Sequence, residues 1–433
     1  MMEGYVKITL RPGSRQRAGV VGVYLVTTLM SACAAPAPAP PAAAVLPGID
    51  VLLRQGPGRL AGARVGLITN HTGISGSLGA AGDTVNTIDL LHRHPGINLV
   101  ALFSPEHSIT GRELAGVQIE SGRDTRTGLP IHSLYGATQK PTPEMLSGVD
   151  VLVFDIQDIG TRYYTYVWTM ALALEAAAEN GKKFVVLDRP NPIGGVHVHG
   201  NVLDPQFRTF VGLHPVPIRH GLTPGEMARL VNGEFLGRRA DLTVIPVANW
   251  RRDMWFDQTG LPWIGPSPNM PTLESATHYP GTCLYEGTNL SVGRGTPHAY
   301  QHIGAPWLDH VALVQRLARY QLPGVRIDTV TFTPQNPGDS KYPGAAVRGI
   351  RFTATDRNVY DPVRASLAAL IEIRALHADS LSFRVAHFDR LAGTTELRQA
   401  IEAGVEAATI VRGWEPARRA FLDRRRAVLL YPE

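Results

Sequence analysis

The chain of 433 residues carries 42 Lys and Arg against 37 Asp and Glu, a formal net charge of +5 at pH 7. Four of the basic residues and one acidic residue lie within positions 1–33, so the remaining 38 basic and 36 acidic residues leave a net charge of about +2. A charge this small gives no basis for nucleic-acid binding. Only Cys283 follows Cys33, which excludes an intramolecular disulfide and cysteine-based metal sites in the rest of the chain.

Residues 1–33 have the features of a bacterial lipoprotein signal peptide. Basic residues precede an apolar run at 18–30, which is shorter than the roughly 20 residues that a membrane-spanning helix needs. Small residues then lead to Cys33, whose thiol can be acylated before cleavage. The alternatives are a plain secretory signal cleaved nearby and an N-terminal anchor that stays uncleaved.

An Ala/Pro-rich linker follows at 34–45. Because proline-rich chains are extended and semi-rigid, this linker would hold a folded domain away from a membrane surface. Ala34 rather than an acidic residue follows Cys33, and by the sorting preference of Gram-negative lipoproteins this predicts an anchor in the outer membrane, facing the periplasm.

From residue 49 to about residue 188 the chain alternates between short apolar runs and helical stretches, and we assign residues 46–275 to one Rossmann-like catalytic domain. The runs at 64–70, 98–103, 149–155 and 183–188 predict buried parallel strands, and the stretches at 84–94 and 165–180 predict helices. This alternation predicts an α/β fold with a Rossmann-like, doubly wound parallel sheet. No Gly-x-Gly-x-x-Gly motif follows the first run, so we expect neither a dinucleotide nor another cofactor.

Polar residues follow each of these predicted strands, at 70–73, 104–107, 155–162 and 188–192. In an open α/β sheet, ligands bind at the carboxyl edge of the strands. The sequence therefore predicts that these four loops form one binding site.

From about residue 200 the chain is richer in loops, with Pro- and Gly-dense stretches at 263–272 and 279–297. A mixed α/β pattern resumes near residue 322, with predicted helices at 363–376 and 396–403. We expect residues 276–433 to form a second, smaller α/β domain.

Long motifs occur in a fixed order along almost the whole body of the chain. They include Phe-Ser-Pro-Glu-His at 103–107, Phe-Asp-Ile-Gln-Asp-Ile-Gly-Thr-Arg-Tyr-Tyr-Thr-Tyr at 154–166, Leu-Asp-Arg-Pro-Asn-Pro at 187–192, Arg-His-Gly-Leu-Thr at 219–223, Pro-Ser-Pro-Asn-Met-Pro-Thr at 266–272 and Glu-Gly-Thr-Asn-Leu-Ser-Val-Gly-Arg-Gly-Thr at 286–296. With these motifs the sequence resembles the NamZ-type exo-β-N-acetylmuramidase family, formerly a domain of unknown function. The resemblance implies a hydrolase that releases terminal N-acetylmuramic acid from the non-reducing end of peptidoglycan fragments. It also implies that the smaller C-terminal domain closes a cleft that it shares with the Rossmann-like domain.

Glycoside cleavage needs a protonated carboxyl group near the leaving oxygen, and a second group that activates water or stabilises the oxocarbenium-like centre. Glu106 is our candidate for the acid, because it follows a strand and a proline that fixes the turn. The alternative is that Glu106 caps a following helix. Asp155, Asp158 and Glu286 are candidates for the second group, unless the 2-acetamido group of the substrate serves as the internal nucleophile.

Muramic acid carries a lactyl carboxylate, which a guanidinium group can bind in bidentate fashion. Arg162 and Arg294 are the candidates, and each could instead pair with a nearby acidic residue. The tyrosines at 163, 164 and 166 could stack on a sugar ring, with Tyr164 as our choice. The remaining predicted sugar ligands are polar residues in the motif loops: Asn70, His71, His107, Gln157, Arg189, Asn191, His220, Asn269 and Asn289.

Two other functions remain open at this stage. One is an esterase or amidase that acts on the same polymer, although no Gly-x-Ser-x-Gly motif supports a serine enzyme. The other is a non-catalytic lipoprotein that binds muropeptides. Motif-loop histidines could form a metal site with Asp155 or Asp158, but no His-Glu-x-x-His motif is present and we predict none.

One position departs from the family pattern, since Ser108 stands where the family normally has a glycine after Glu-His. If that position requires a positive φ, serine there costs about 1 kcal/mol or more.

Overall fold

Apolar runs at the predicted positions form the centre of a seven-stranded sheet. The computed structural model describes residues 44–78 and 84–432, so the predicted signal peptide, Cys33 and most of the linker lie outside the described residues. The strands are β1 Arg64–Thr69, β2 Ile74–Leu78, β3 Thr84–Asn86, β4 Asn98–Ser104, β5 Gly122–Arg123, β6 Pro130–Ser133, β7 Val151–Asp155, β8 Lys183–Leu187, β9 His199–Val202, β10 Pro217–Arg219, β11 Asp241–Ile245, β12 His302–Ala305, β13 Val325–Phe332 and β14 Val347–Ala354.

The large sheet has the strand order β11-β8-β7-β1-β4-β6-β5. All neighbouring pairs are parallel except β5 and β6 at one edge. Numbered along the chain, its six parallel strands follow the doubly wound order 3-2-1-4-5-6, which confirms the predicted fold class. The strand order reverses between β1 and β7, and ligands bind in the crevice at such a switch point.

Helices cover both faces of the large sheet and build most of the C-terminal region. They are α1 Gly48–Gln55, α2 Thr87–Arg93, α3 Pro143–Leu146, α4 Tyr166–Glu179, α5 Pro224–Glu234, α6 Leu273–Thr282, α7 His310–Leu317, α8 Pro362–Leu376, α9 Val385–Ala392, α10 Glu396–Glu402, α11 Ala407–Gly413 and α12 Glu415–Arg426. Within the described ranges, no helix is both long and apolar enough to cross a membrane.

The predicted helix at 84–94 is shorter than expected. Residues 84–86 form β3, which pairs with β2, and the Asn86 side chain accepts a hydrogen bond from the Ile88 N–H group at 2.8 Å. This cap satisfies a free N–H group of the first turn, so α2 begins at Thr87.

The C-terminal region is a smaller α/β unit around a three-stranded antiparallel sheet of order β12-β14-β13. The long, apolar α8 packs against α6, α7, α10 and α11. The predicted boundary at residues 275 and 276 falls within α6 and stays a prediction. Residues from both sides of it join one apolar core, which includes Trp168 and Phe388.

Candidate active site

The carboxyl ends of β1, β4 and β7 lie level at one edge of the sheet. Ile68 of β1 pairs with Phe103 of β4 on one side and with Phe154 of β7 on the other. The loops after β4 and β7 therefore begin at the same level on either side of β1, and each contributes to the wall of a pocket.

This pocket has a volume of about 280 Å³ and lies between the N-terminal loops and the C-terminal region. Six of the predicted site residues line it: Glu106, His107, Tyr164, Asn269, Glu286 and Arg294. The structure thus brings together carboxylates that are 180 positions apart in the chain.

Glu106 lies in the wall of the pocket and is 8% exposed. Its Oε1 atom accepts a hydrogen bond from the Gly116 N–H group at 3.1 Å, and its Oε2 atom accepts one from the Thr165 hydroxyl at 2.7 Å. Residues 106–111 form turns, so Glu106 does not cap a following helix. The two donors fix the orientation of the carboxyl group, which a general acid requires.

The loop after Glu106 has an unusual backbone conformation, with φ values of 68° at His107 and 64° at Ser108. Ser108 therefore occupies the left-handed conformation that favours glycine, as its departure from the family pattern suggested. The His107 Nδ1 atom lies 2.6 Å from the Glu113 carbonyl oxygen, a contact that folds the loop back towards the pocket. Burial lowers the pKa of His107, so its ring is neutral at pH 7.

His71 supports the same loop from the β1 side. Its Nε2 atom lies 2.8 Å from the Gly265 carbonyl oxygen, and a Cβ atom on Gly111 would lie only 1.9 Å from its ring. His71 therefore packs directly beneath the loop rather than lining the pocket.

Glu286 is the second carboxylate that the sequence placed in this site. Its Oε1 atom accepts hydrogen bonds from Arg294 Nε at 2.8 Å and from the Tyr300 hydroxyl at 2.7 Å. Burial alone would raise the pKa of Glu286, but the Arg294 charge and these hydrogen bonds outweigh it, so the pKa lies below its usual range. Glu286 is therefore ionised at neutral pH, and Arg294 is occupied by this pair.

Tyrosine rings form much of the remaining wall. Tyr164 meets the rings of Tyr166 and Tyr279 edge to face, with centroids 5.0 and 6.0 Å away, and Tyr279 meets Tyr300 in the same way at 4.6 Å. Such contacts rigidify the wall. Tyr163, Tyr164 and Tyr166 are all buried, so they can present ring edges or hydroxyl groups only where they line the pocket.

Asp155 and Asp158, the other two candidate carboxylates, do not line the pocket. Asp155 forms a buried ion pair with Arg189, at 2.6 and 3.0 Å, and also accepts a hydrogen bond from Thr87. Asp158 is fully buried, and burial raises its pKa to about 7. The structure gives both residues positions below the site rather than within it.

Arg162 also lies outside the pocket, although it is a predicted ligand of the lactyl carboxylate. Its guanidinium group is fully buried and donates to four carbonyl oxygens, those of Asn201, Val216, Leu391 and Ala392. The last two belong to the C-terminal end of α9. Arg162 therefore holds α9 through its two terminal nitrogens, and its unpaired Nε atom is buried outside the pocket lining.

Five other predicted sugar ligands lie outside the pocket lining, and each makes at least one hydrogen bond with the backbone. These residues are Asn70, Gln157, Asn191, His220 and Asn289. For example, the Leu222 N–H group donates to His220 Nδ1 at 3.1 Å, and burial lowers the pKa of His220 to about 3. Asn269 differs, because it is half-buried in the pocket lining and free of hydrogen bonds to any part of the chain that the structure describes.

Several pocket residues were not found from the sequence. They are the lining residues Ser267, Tyr279, Tyr300, Asp339, Arg384 and His387. Asp339 lies in the loop between β13 and β14, and Arg384 and His387 lie at the start of α9. None of these three falls in a motif that marks its chemistry, so only their placement reveals them.

No group of three or more His, Cys, Asp or Glu side chains is positioned to hold a metal ion in residues 44–78 and 84–432.

Comparisons with known proteins identify the family of the chain. The family model described as exo-beta-N-acetylmuramidase NamZ, N-terminal, matches residues 65–274, and the corresponding C-terminal model matches residues 277–431. The peptidoglycan beta-N-acetylmuramidase NamZ of Bacillus subtilis (strain 168) is 46% identical over 385 residues, which cover 89% of this chain and 91% of that protein.

Two crystal structures of DUF1343 family proteins from Bacteroides fragilis NCTC 9343 are also similar. The one solved at 1.65 Å has a TM-score of 0.82 at 38% identity, covering 90% of this chain and 99% of the other. The one solved at 1.30 Å has a TM-score of 0.69 at 32% identity, covering 90% of this chain and 100% of the other.

Proposed function

Because this chain belongs to the NamZ exo-β-N-acetylmuramidase family, we propose that it is a glycoside hydrolase that releases N-acetylmuramic acid from the non-reducing end of peptidoglycan fragments. The observation that carries the proposal is the orientation of Glu106, held by two donors in the wall of a small pocket. A pocket of about 280 Å³ is at the lower end of the range for small-molecule sites, which suits one terminal sugar better than a continuous glycan.

In this mechanism Glu106 donates a proton to the glycosidic oxygen as the bond to the leaving sugar breaks. Positive charge develops on the muramic acid ring, and Glu286 is the pocket carboxylate that Arg294 and Tyr300 keep ionised. The Glu286 Oε1 atom accepts the hydrogen bonds from Arg294 and Tyr300. The other oxygen, Oε2, is left to stabilise the oxocarbenium-like centre or to activate water.

The first experiment compares Glu106→Gln with the unaltered enzyme, using protein that begins at residue 34. On a disaccharide of N-acetylmuramic acid and N-acetylglucosamine, we expect a loss of about 10²- to 10⁴-fold in kcat, because the sugar leaving group needs a proton. On a muramic acid glycoside of an acidic phenol the loss should be smaller, since that leaving group departs without protonation. Glu120→Gln, an exposed change elsewhere, serves as the control.

Equal losses on the two substrates, or no loss on either, would remove Glu106 from the role of acid. If the unaltered enzyme cleaves neither substrate, the glycosidase assignment itself fails, and an esterase, an amidase or a non-catalytic muropeptide-binding protein takes its place. Mass spectrometry of the products separates these cases, because only the exo-glycosidase releases free N-acetylmuramic acid.

We also propose that the chain is made as a lipoprotein, anchored through Cys33 to the outer membrane and facing the periplasm. The support is the signal-like N-terminus, together with the start of the folded body just after the linker. Leu46 already pairs with Ala248, with an N–O distance of 3.0 Å. Such an anchor would hold the enzyme beside its polymer.

Metabolic labelling with a fatty acid tests the anchor. The full chain should carry the label and separate into the detergent phase, whereas Cys33→Ser should lose both properties. A labelled Cys33→Ser protein, or an unlabelled full chain in the soluble fraction, would contradict the proposal.

A further inference from the structure

We infer that Arg384 recognises the carboxylate of the substrate and so determines the preference for a muramic acid residue over a plain N-acetylhexosamine. This inference rests on the proposed function, since it assigns the residue that binds the lactyl group of that substrate. Neither predicted ligand of this group, Arg162 or Arg294, has the position and the free donors that the task requires.

The cations in and near the pocket differ in whether their donors are already paired. Arg294 is bound to Glu286 and Tyr300. Lys341, below the lining, donates to the carbonyl oxygens of Tyr285, Glu286 and Leu290. Arg384 lines the pocket, and its guanidinium group makes no hydrogen bond or ion pair with any residue in the described part of the chain.

An anionic substrate would meet several carboxylates in the pocket. Glu106, Glu286 and Asp339 all line the pocket, and only Glu286 has a guanidinium partner within it. The Asp339 Oδ2 atom lies 3.9 Å from Lys341 Nζ and accepts no hydrogen bond in the described residues. These carboxylates repel a substrate carboxylate, so the side of the pocket that carries the unpaired Arg384 guanidinium is the favourable place for it.

Arg384 is positioned by the start of helix α9. Arg384, His387 and Leu391 are spaced three and four residues apart, so one face of α9 forms this side of the pocket. The Arg384 N–H group donates to the Gly287 carbonyl oxygen at 2.8 Å, which fixes the start of α9 beside the segment that carries Glu286. At its other end, α9 is held by Arg162.

His387, one turn further along α9, leaves the charge to Arg384. Burial and the nearby Arg390 lower the pKa of His387 to about 4, so its ring is neutral at pH 7. The N-terminal end of α9 also carries partial positive charge, which adds to the attraction for an anion. A bidentate pair between Arg384 and the lactyl carboxylate is therefore the arrangement that this wall favours.

The experiment compares two chromogenic substrates, an N-acetylmuramic acid glycoside and its lactyl methyl ester, which removes the charge and keeps the shape. Arg384→Gln should lower kcat/KM on the acid by about 10- to 100-fold, mainly through KM, and should change the ester little. The preference for acid over ester should therefore disappear. Arg384→Lys should recover part of it, because the charge returns without the bidentate geometry.

Arg426→Gln is the matched control, because that side chain is exposed on α12 and remote in sequence from the pocket segments. The Arg384 side chain is exposed and unpaired among the residues described, so its variants should unfold at the temperature of the unaltered enzyme. If Arg384→Gln keeps the preference for acid over ester, or loses both substrates equally, this inference is wrong. If the unaltered enzyme cleaves neither substrate, the proposed function fails instead.

Discussion

Replacing Arg162 with methionine should lower the free energy of unfolding by about 4 kcal/mol. The guanidinium group donates to four carbonyl oxygens at 2.8 to 3.1 Å. Two of these, on Val216 and Ala392, also accept from other N–H groups. The loss therefore falls mainly on the oxygens of Asn201 and Leu391, at about 1.5–3 kcal/mol for each hydrogen bond to a charged group.

Two effects keep the expected loss in the free energy of unfolding near the lower part of that range. Methionine fills much of the volume of the arginine stem, so the cavity that remains is small. Burial lowers the pKa of Arg162 to about 10, so the side chain is still charged at pH 7 and its desolvation opposes folding. Replacing arginine with methionine removes this unfavourable contribution.

Urea denaturation at pH 7 measures this free energy, and thermal unfolding should show a fall in Tm of about 5 °C for a folded body of this length. Arg426→Met provides the comparison, because that side chain is 69% exposed and should change the stability by less than about 0.5 kcal/mol. Since Arg162 also holds α9, kcat/KM should fall with stability. If Arg162→Met lies within about 1 kcal/mol of the unaltered protein, the Arg162 side chain contributes far less than its hydrogen bonds suggest.

Three further changes test the electrostatics and the backbone. In the unaltered protein, the raised pKa of Asp158 contributes stability that is fully present below pH 3.8. This contribution is lost at about 1.4 kcal/mol per pH unit as the pH rises to about 7. Asp158→Asn should abolish this loss, because the amide does not titrate. Ser108→Gly should stabilise the protein by about 0.5–1 kcal/mol, since glycine adopts a φ of 64° without strain. Tyr300→Phe should raise the pKa of Glu286, moving the acidic limb of kcat/KM up by about 0.5–1 pH unit while Arg294 keeps it ionised at pH 7.

Each of these has a direct control. Unfolding of Asp158→Asn is followed in urea at pH 5 and pH 8, and an unchanged slope with pH would place the titration on another group. Ser108→Ala retains the Cβ atom and should gain nothing, so equal stabilisation by alanine and glycine would exclude backbone strain as the cause. For Tyr300→Phe, an unshifted acidic limb with a normal Tm would separate Glu286 from that limb.

The sheet was predictable because its signal is local. Runs such as 183–188 are short, apolar and rich in β-branched residues, and buried parallel strands require that composition. The polar residues after the strands indicated one edge of the sheet, but of the four predicted loops only 104–107 contributes residues to the pocket lining. The start of α2 was harder to predict, because pairing of β3 with β2 competes with helix formation in the same residues.

The motifs also marked Glu106 and Glu286, but a motif does not show which of its side chains face the pocket. Arg162 and Tyr164 are two positions apart in one motif, yet only Tyr164 lines the site. The direction of a side chain in such a loop depends on contacts made elsewhere, here by α9 and by the β9–β10 hairpin.

The sequence by itself determined the α/β class, the strand edge where the site lies and the family of the chain, because periodicity and motif order are written in consecutive residues. The tertiary structure alone decided which carboxylates are available and which cation is free. Asp155 is neutralised by Arg189, and Arg294 by Glu286, whereas Arg384 reaches the pocket from a helix almost 280 positions after Glu106. Burial and pairing are properties of contacts between distant segments, so they appear only when the chain is folded.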